Sequence, residues 1–94
     1  MNRPIITPDK ISLFHRHLAY CERSPATVEK YVRDVSAFAR YAKGQPITKE
    51  TVVSYKNLIN GRYAVRSVNS MLAGLNSFFE FIARPELKVK SLKL

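Results

Sequence analysis

Apolar residues recur every three to four positions in four stretches of this chain, and no stretch alternates strictly between apolar and polar. That spacing returns side chains to one face of an α-helix, so the pattern predicts an all-α fold of four helices. Glycine and proline mark the gaps. Thr7, Pro8 and Asp9 read as a cap, a first-turn proline and a carboxylate matched to the positive end of the helix dipole. The stripe Ile11, Phe14, Leu18 and Cys21 follows, with the first helix expected to end near Arg23. Ser24 caps the second helix, Pro25 takes its first position, and Gly44 falls where a left-handed C-terminal cap is wanted. Thr48 caps a shorter third helix carrying Val52, Tyr55 and Ile59, which Gly61 closes. The fourth is expected over residues 65–83, repeating Val68, Leu72, Leu75, Phe79 and Ile82 until Arg84-Pro85 stops it. At roughly 20 residues, or ~30 Å, it is the longest expected element.

A chain of 94 residues with 46% hydrophobic composition can build one core but not two. A single domain over residues 1–85 is therefore expected, with residues 86–94 as the start of a linker to a further domain, because "ELKVKSLKL" shows no cap, turn or sequel. Sixteen Lys and Arg against seven Asp and Glu give a net charge of +9, which favours a polyanionic partner without separating it from a merely soluble basic surface. The lone Cys21 excludes an internal disulfide, and a reducing, cytoplasmic setting is expected. The N-terminus lacks a secretory apolar segment, and no apolar run is long enough to span a bilayer, so no membrane partner is expected.

On a helical wheel the second helix groups Val28, Tyr31, Val32, Val35, Phe38, Ala39 and Ala42 in one apolar sector, with Ala26, Lys30, Arg33, Ala37 and Arg40 opposite. Glu29 with Arg33 and Lys30 with Asp34 are i,i+4 pairs, which by themselves describe an ordinary solvated surface contributing about 0.2–0.5 kcal/mol each. The fourth helix is different. Its non-core face reads Arg66, Ser67, Asn69, Ser70, Ala73, Asn76 and Ser77, short and polar with one cation near the start. Small donors of this kind let a ligand backbone approach closely, and helix N-termini already favour phosphates.

Taken together, "SPATVEKYVRDVSAF" and "YAVRSVNSMLAGLNSFFEFI" resemble the two signature helices of the N-terminal, SAM-like core-binding domain of tyrosine recombinases, the phage-integrase group. The resemblance runs from about Thr7 to Pro85. It rests on the Ser-x-x-Thr-x-x-x-Tyr opening, Phe38, the Ser67-Val68-Asn69 triplet, Leu72, Leu75, the Phe78-Phe79-x-Phe81 close and the Arg-Pro exit. It implies a compact four-helix SAM-like fold that binds double-stranded DNA, with the second and fourth helices straddling the duplex and a separate C-terminal domain clamping the other side. By position it implies that Thr27 contacts phosphate at the start of the second helix, that Lys30 faces DNA one turn on, and that Arg66, Ser67 and Ser70 face the groove. The wheel adds Ser24 and Arg33 to this DNA-binding set. Asn76 stands where the family often has a basic residue, which makes the face less cationic. Other recombinase protomers are implied as partners of a full-length assembly, with the isolated domain a monomer, near the nucleoid.

The family's chemistry requires a tyrosine nucleophile and a cluster of Arg, His and Lys in the C-terminal domain. No such cluster assembles here, so Tyr20, Tyr31, Tyr41, Tyr55 and Tyr63 are expected to be core or surface aromatics in a chain that binds without cutting. His15, His17 and Cys21 do not make a metal site, since His15 and His17 point apart on a helix and a fourth ligand is missing. No cofactor motif is present. A repressor-type helix-turn-helix with Gly61 in its turn fails, because Arg62 and Asn57 fall where apolar residues pack. The reading from another class is a helical protein-interaction module or stand-alone accessory DNA binder, for which Phe78 or Phe81 projecting past the core would supply the contact.

Overall fold

Four helices form where the caps and stripes put them: α1 Pro8–Tyr20, α2 Pro25–Ala42, α3 Lys49–Asn60 and α4 Val65–Phe81. The computed structural model describes residues 3–93, among which there is no strand. Met1 and Leu94, the outer limits of the expected domain and linker, lie outside them. Thr7 Oγ1 accepts the Lys10 N–H at 3.2 Å and Ser24 Oγ the Thr27 N–H at 3.2 Å. Thr48 and Thr51 form a reciprocal capping box. Each such cap satisfies an amide that the helix itself cannot, worth about 1 kcal/mol. α4 is the exception. Its N-cap is Ala64, which has no side-chain group to accept a bond.

The helix ends differ from expectation in three places. α1 stops at Tyr20, so Cys21 leaves the apolar stripe and lies exposed at the C-cap, where the chain turns through Glu22 in the left-handed region (φ 60°). The left-handed turn after α2 begins at Lys43 (φ 53°), one residue ahead of Gly44 (φ 73°). α4 has 17 residues against 18 in α2, so α2 is the longest element. The cause is Ala83, which turns left-handed (φ 59°) ahead of the proline and makes Ile82 the C-cap.

The core joins all four helices through aromatic rings. Phe14 of α1 meets Phe78 of α4 edge-on at 5.2 Å between centroids, and Phe78 meets its neighbour Phe79 at 6.2 Å. Phe79 meets Phe38 of α2 at 6.0 Å, and Phe38 meets Tyr55 of α3 at 5.0 Å. Edge-to-face pairs of this kind add about 0.5–1.5 kcal/mol each beyond the area they bury. Phe78 is fully buried, and Phe81 is half-buried between Phe14 and His17, so neither supplies the projecting contact that an interaction module would need.

α2 and α4 form the most extensive helix pair. Their close approach centres on Gly74, where a Cβ would stand 3.3 Å from Asp34 Oδ2 and 3.4 Å from the Tyr31 Cα. The chain after α4 does not run free. Residues Pro85–Leu87 form a single 3₁₀ turn, and the following segment lies back on the bundle with Leu87 and Val89 buried and Leu92 against the core. The turn and the alternation of Leu87 and Val89 escape a helical-period reading because they are too short and belong to another period. At the other end the Ile47 N–H donates to the Pro4 carbonyl at 2.7 Å, joining the N-terminal segment to the α2–α3 connection.

Two outcomes test this packing. Gly74→Val overfills the crossing and should lower stability by about 1–3 kcal/mol in urea unfolding, whereas an unchanged midpoint would mean the two helices are not in close contact. The Tyr55 hydroxyl is pushed above its usual 10.0, first by burial and then by the Asp34 charge. A raised folded-state pKa contributes stability that is present below the unfolded value and is lost as pH climbs through the folded one. Unfolding midpoints taken across the alkaline range should therefore fall less for Tyr55→Phe than for the parent above about pH 10.

Candidate nucleic-acid interface

The seven sequence-derived residues divide by helix. Ser24 is the N-cap of α2, and its hydroxyl both accepts from the Thr27 amide and donates to Thr27 Oγ1 at 2.9 Å. Both hydroxyls at this helix start are therefore engaged with each other. Lys30, one turn on, is half-buried and places Nζ 2.6 Å from Asp34 Oδ2. Asp34 is only 8% exposed and lies against Gly74, so this pair is no solvated surface bridge but a seam between α2 and α4. The companion pair expected between Glu29 and Arg33 is not formed. Arg33 is exposed on the outer side of α2, with no hydrogen-bond or ion-pair partner among the described residues.

On α4 the polar face splits into two rows. Arg66, Ser70, Ala73 and Ser77 follow one another at i, i+4, i+7 and i+11, which keeps them on one line along the helix. Asn69 and Asn76 form a second row seven residues apart, and both amides are occupied by the C-terminal segment. The expected single face of small donors is therefore narrower than its wheel, because two of its members hold the chain's own backbone. Arg66 and Ser67 are exposed in the first turn of α4, where no side chain caps the free amides. The positive end of the helix dipole is open there.

Beside the first row runs an open groove lined by His17, Arg23, Ala73, Asn76, Ser77 and Lys88, among others. Arg23 directly precedes the Ser24 cap, so the entry to α2 borders one depression with Ala73 and Ser77 of the small-residue row. Arg23 is the cation that the wheel missed, because it precedes the helix and belongs to no face. Glu80 lines the same groove with its carboxylate 2.7 Å from Lys88 Nζ, which removes Lys88 as a free charge. Of the sequence-derived residues none lines this groove, which takes Arg23 from the entry to α2 and Ala73 and Ser77 from α4; Lys30 sits at the α2–α4 seam and Arg33 is exposed.

His17 Nε2 and Cys21 Sγ approach to 3.7 Å, one turn apart at the end of α1. Among the described residues no three His, Cys, Asp or Glu side chains gather in a group that could hold a metal. No described helix is long and apolar enough to cross a membrane. The engaged Ser24 hydroxyl yields a distinguishing prediction. Ser24→Ala should cost about 1 kcal/mol of stability and Ser24→Gly only a few tenths, by thermal or urea unfolding, because glycine tolerates the cap position. Equal stability of the parent and Ser24→Ala would show that the hydroxyl does not cap α2.

Compared with known proteins, the chain matches the family model described as phage integrase, N-terminal SAM-like domain, over residues 11–86. No match emerged among curated proteins or among solved structures. The matched region takes in nearly all of α1, the whole of α2, α3 and α4, and the first two residues of the 3₁₀ turn that starts the return of the chain. With four helices in the expected order and a match over most of its length, the chain belongs to the phage-integrase N-terminal SAM-like domain family.

Proposed function

We propose that this domain binds double-stranded DNA as the N-terminal part of a site-specific tyrosine recombinase or integrase, and that it clamps the duplex opposite a catalytic domain reached through the chain beyond residue 86. The observation that carries the reading is the groove in which Arg23, at the entry to α2, meets Ala73 and Ser77 of the small-residue row on α4, a row whose first member, Arg66, is exposed in the first turn of that helix. Short side chains allow a phosphate backbone to come near, and the open amides at the start of α4 favour anions. The net charge of +9 supplies the long-range attraction.

Binding is mainly to phosphate and therefore largely independent of sequence, with a dissociation constant near 10⁻⁴–10⁻⁶ M, the usual range for non-specific contacts at physiological salt. Ser24 and Thr27 border the phosphate-contacting side, Ser67 and Ser70 reach toward the groove of the duplex, and Arg33 adds a flanking cation. Lys30 contributes less than its charge suggests, because Asp34 already neutralises it. Strand cleavage belongs to a separate catalytic domain; Tyr55 is buried in the core and Tyr20 is 87% exposed. Other protomers of the recombinase, assembled on DNA in the cytoplasm, are the protein partners.

A second reading, a helical interaction module or stand-alone accessory DNA binder, draws on Leu13 and Tyr20, which lie exposed seven residues apart on α1. Ionic strength discriminates between phosphate binding and apolar docking. Titration of a duplex should give a linear fall of log K with log salt, and Arg66→Ala should reduce the slope by about 0.9 for each phosphate contact removed. Lys30→Ala should reduce it by less than half as much. A parent slope near zero would overturn the DNA reading.

A further inference from the structure

The α3–α4 cleft holds an extended stretch of main chain by side-chain contacts alone. The Val89 N–H donates to Asn76 Oδ1 at 3.0 Å, while Asn76 Nδ2 donates back to the Val89 carbonyl at 2.8 Å. The Leu92 N–H donates to Asn69 Oδ1 at 2.6 Å, and Asn69 Nδ2 returns a bond to the Leu92 carbonyl at 2.9 Å. Each asparagine thus engages one residue through both of its backbone groups, as a neighbouring strand would. From the opposite wall Lys49 Nζ donates to the Lys88 carbonyl, and Lys56 Nζ to the Lys90 carbonyl at 2.5 Å. Beyond the 3₁₀ turn, residues 89–93 make no backbone–backbone hydrogen bond among the described residues.

The spacing explains why two asparagines suffice. Seven residues of helix rise about 10.5 Å, and three residues of extended chain cover about 10 Å, so Asn69 and Asn76 stay in register with Leu92 and Val89. The lysines of α3 are also seven apart and lie on one face of that helix. Apolar side chains complete the seat, with Leu87 and Val89 buried and Leu92 half-buried.

We infer that the α3–α4 cleft is a receptor for extended polypeptide whose occupant is this chain's own residues 88–92, held as a strap that opens as one unit while the four helices stay folded. The physical ground is the kind of grip. Secondary structure ties each helix to itself, whereas the strap depends on the apolar seating of Val89 and Leu92 and on a few clips, each shifting its equilibrium by roughly five- to tenfold. Seated, the strap consumes the amides of Asn69 and Asn76 and engages the ammonium groups of Lys49 and Lys56. It also makes the chain leave the bundle beside Asn69, one turn from Arg66. Lifting it returns two amides on α4 and two cations on α3 to solvent.

Limited trypsin digestion of the full chain, followed by mass spectrometry, tests the strap without any partner. Cleavage after Lys88 and Lys90 should be slow in the parent, and the Asn69→Ala/Asn76→Ala double variant should speed both by roughly tenfold or more, with cleavage after Arg33 and Arg40 unchanged. Equal rates in parent and variant would overturn the proposal, as would acceleration at Arg33 and Arg40 together with the strap sites. Leu92→Pro removes one strap N–H and leaves the helices untouched, so it covers the case of a double variant that does not fold. In that variant the Val89 amide should exchange with solvent faster along with the rest of the strap; unchanged Val89 protection would show that the segment does not move as a unit.

Discussion

Everything in this fold hangs on two adjacent phenylalanines of α4. Phe78 faces Phe14 of α1 and Phe79 faces Phe38 of α2, which in turn meets Tyr55 of α3, so one run of edge-on rings touches every helix. Neighbouring residues on a helix point about 100° apart, which is why a Phe-Phe pair can serve two different packing directions. All four phenylalanines of this run are fully buried. Once they are in contact, the polar sides of α2 and α4 have little freedom in where they face.

The second constraint is the crossing of α2 and α4 at Gly74. The missing side chain leaves room for the Asp34 carboxylate, and that carboxylate draws Lys30 to the seam instead of leaving it on an outer face. The charge that a wheel assigns to solvent is thereby partly neutralised inside the molecule. With Lys30 half-buried and Asp34 buried, the pair is weak evidence for stability but evidence for position, since removing Lys30 leaves the Asp34 carboxylate uncompensated. The cationic character of the candidate interface consequently rests more on Arg23 and Arg66 than on Lys30.

The fold class, the four helices, three caps and most of the core stripe were legible because they depend on local spacing. Thr7, Ser24 and Thr48 do what their types and positions imply, and Phe14, Val35, Phe38, Leu72, Leu75 and Phe79 fall on the buried side. The errors have a common cause. A helical wheel gives Cys21, Asp34, Asn69 and Asn76 to faces that meet either core or solvent, and in each case a turn, a second helix or a returning segment intervenes. Arg23 precedes a helix, where a wheel has nothing to say.

By itself the order of residues determined where helices start, which stripe of each is buried and which family the chain resembles, since these follow from the 3.6-residue period and from capping hydroxyls acting over three or four positions. Only the tertiary structure decided that the chain after α4 folds back between α3 and α4, that two asparagines hold backbone, and that Asp34, the i,i+4 partner of Lys30, is buried against Gly74 of α4. Those outcomes depend on which groups packing brings within about 3 Å of each other, a distance that hydrogen bonds require and that spacing along one helix cannot report.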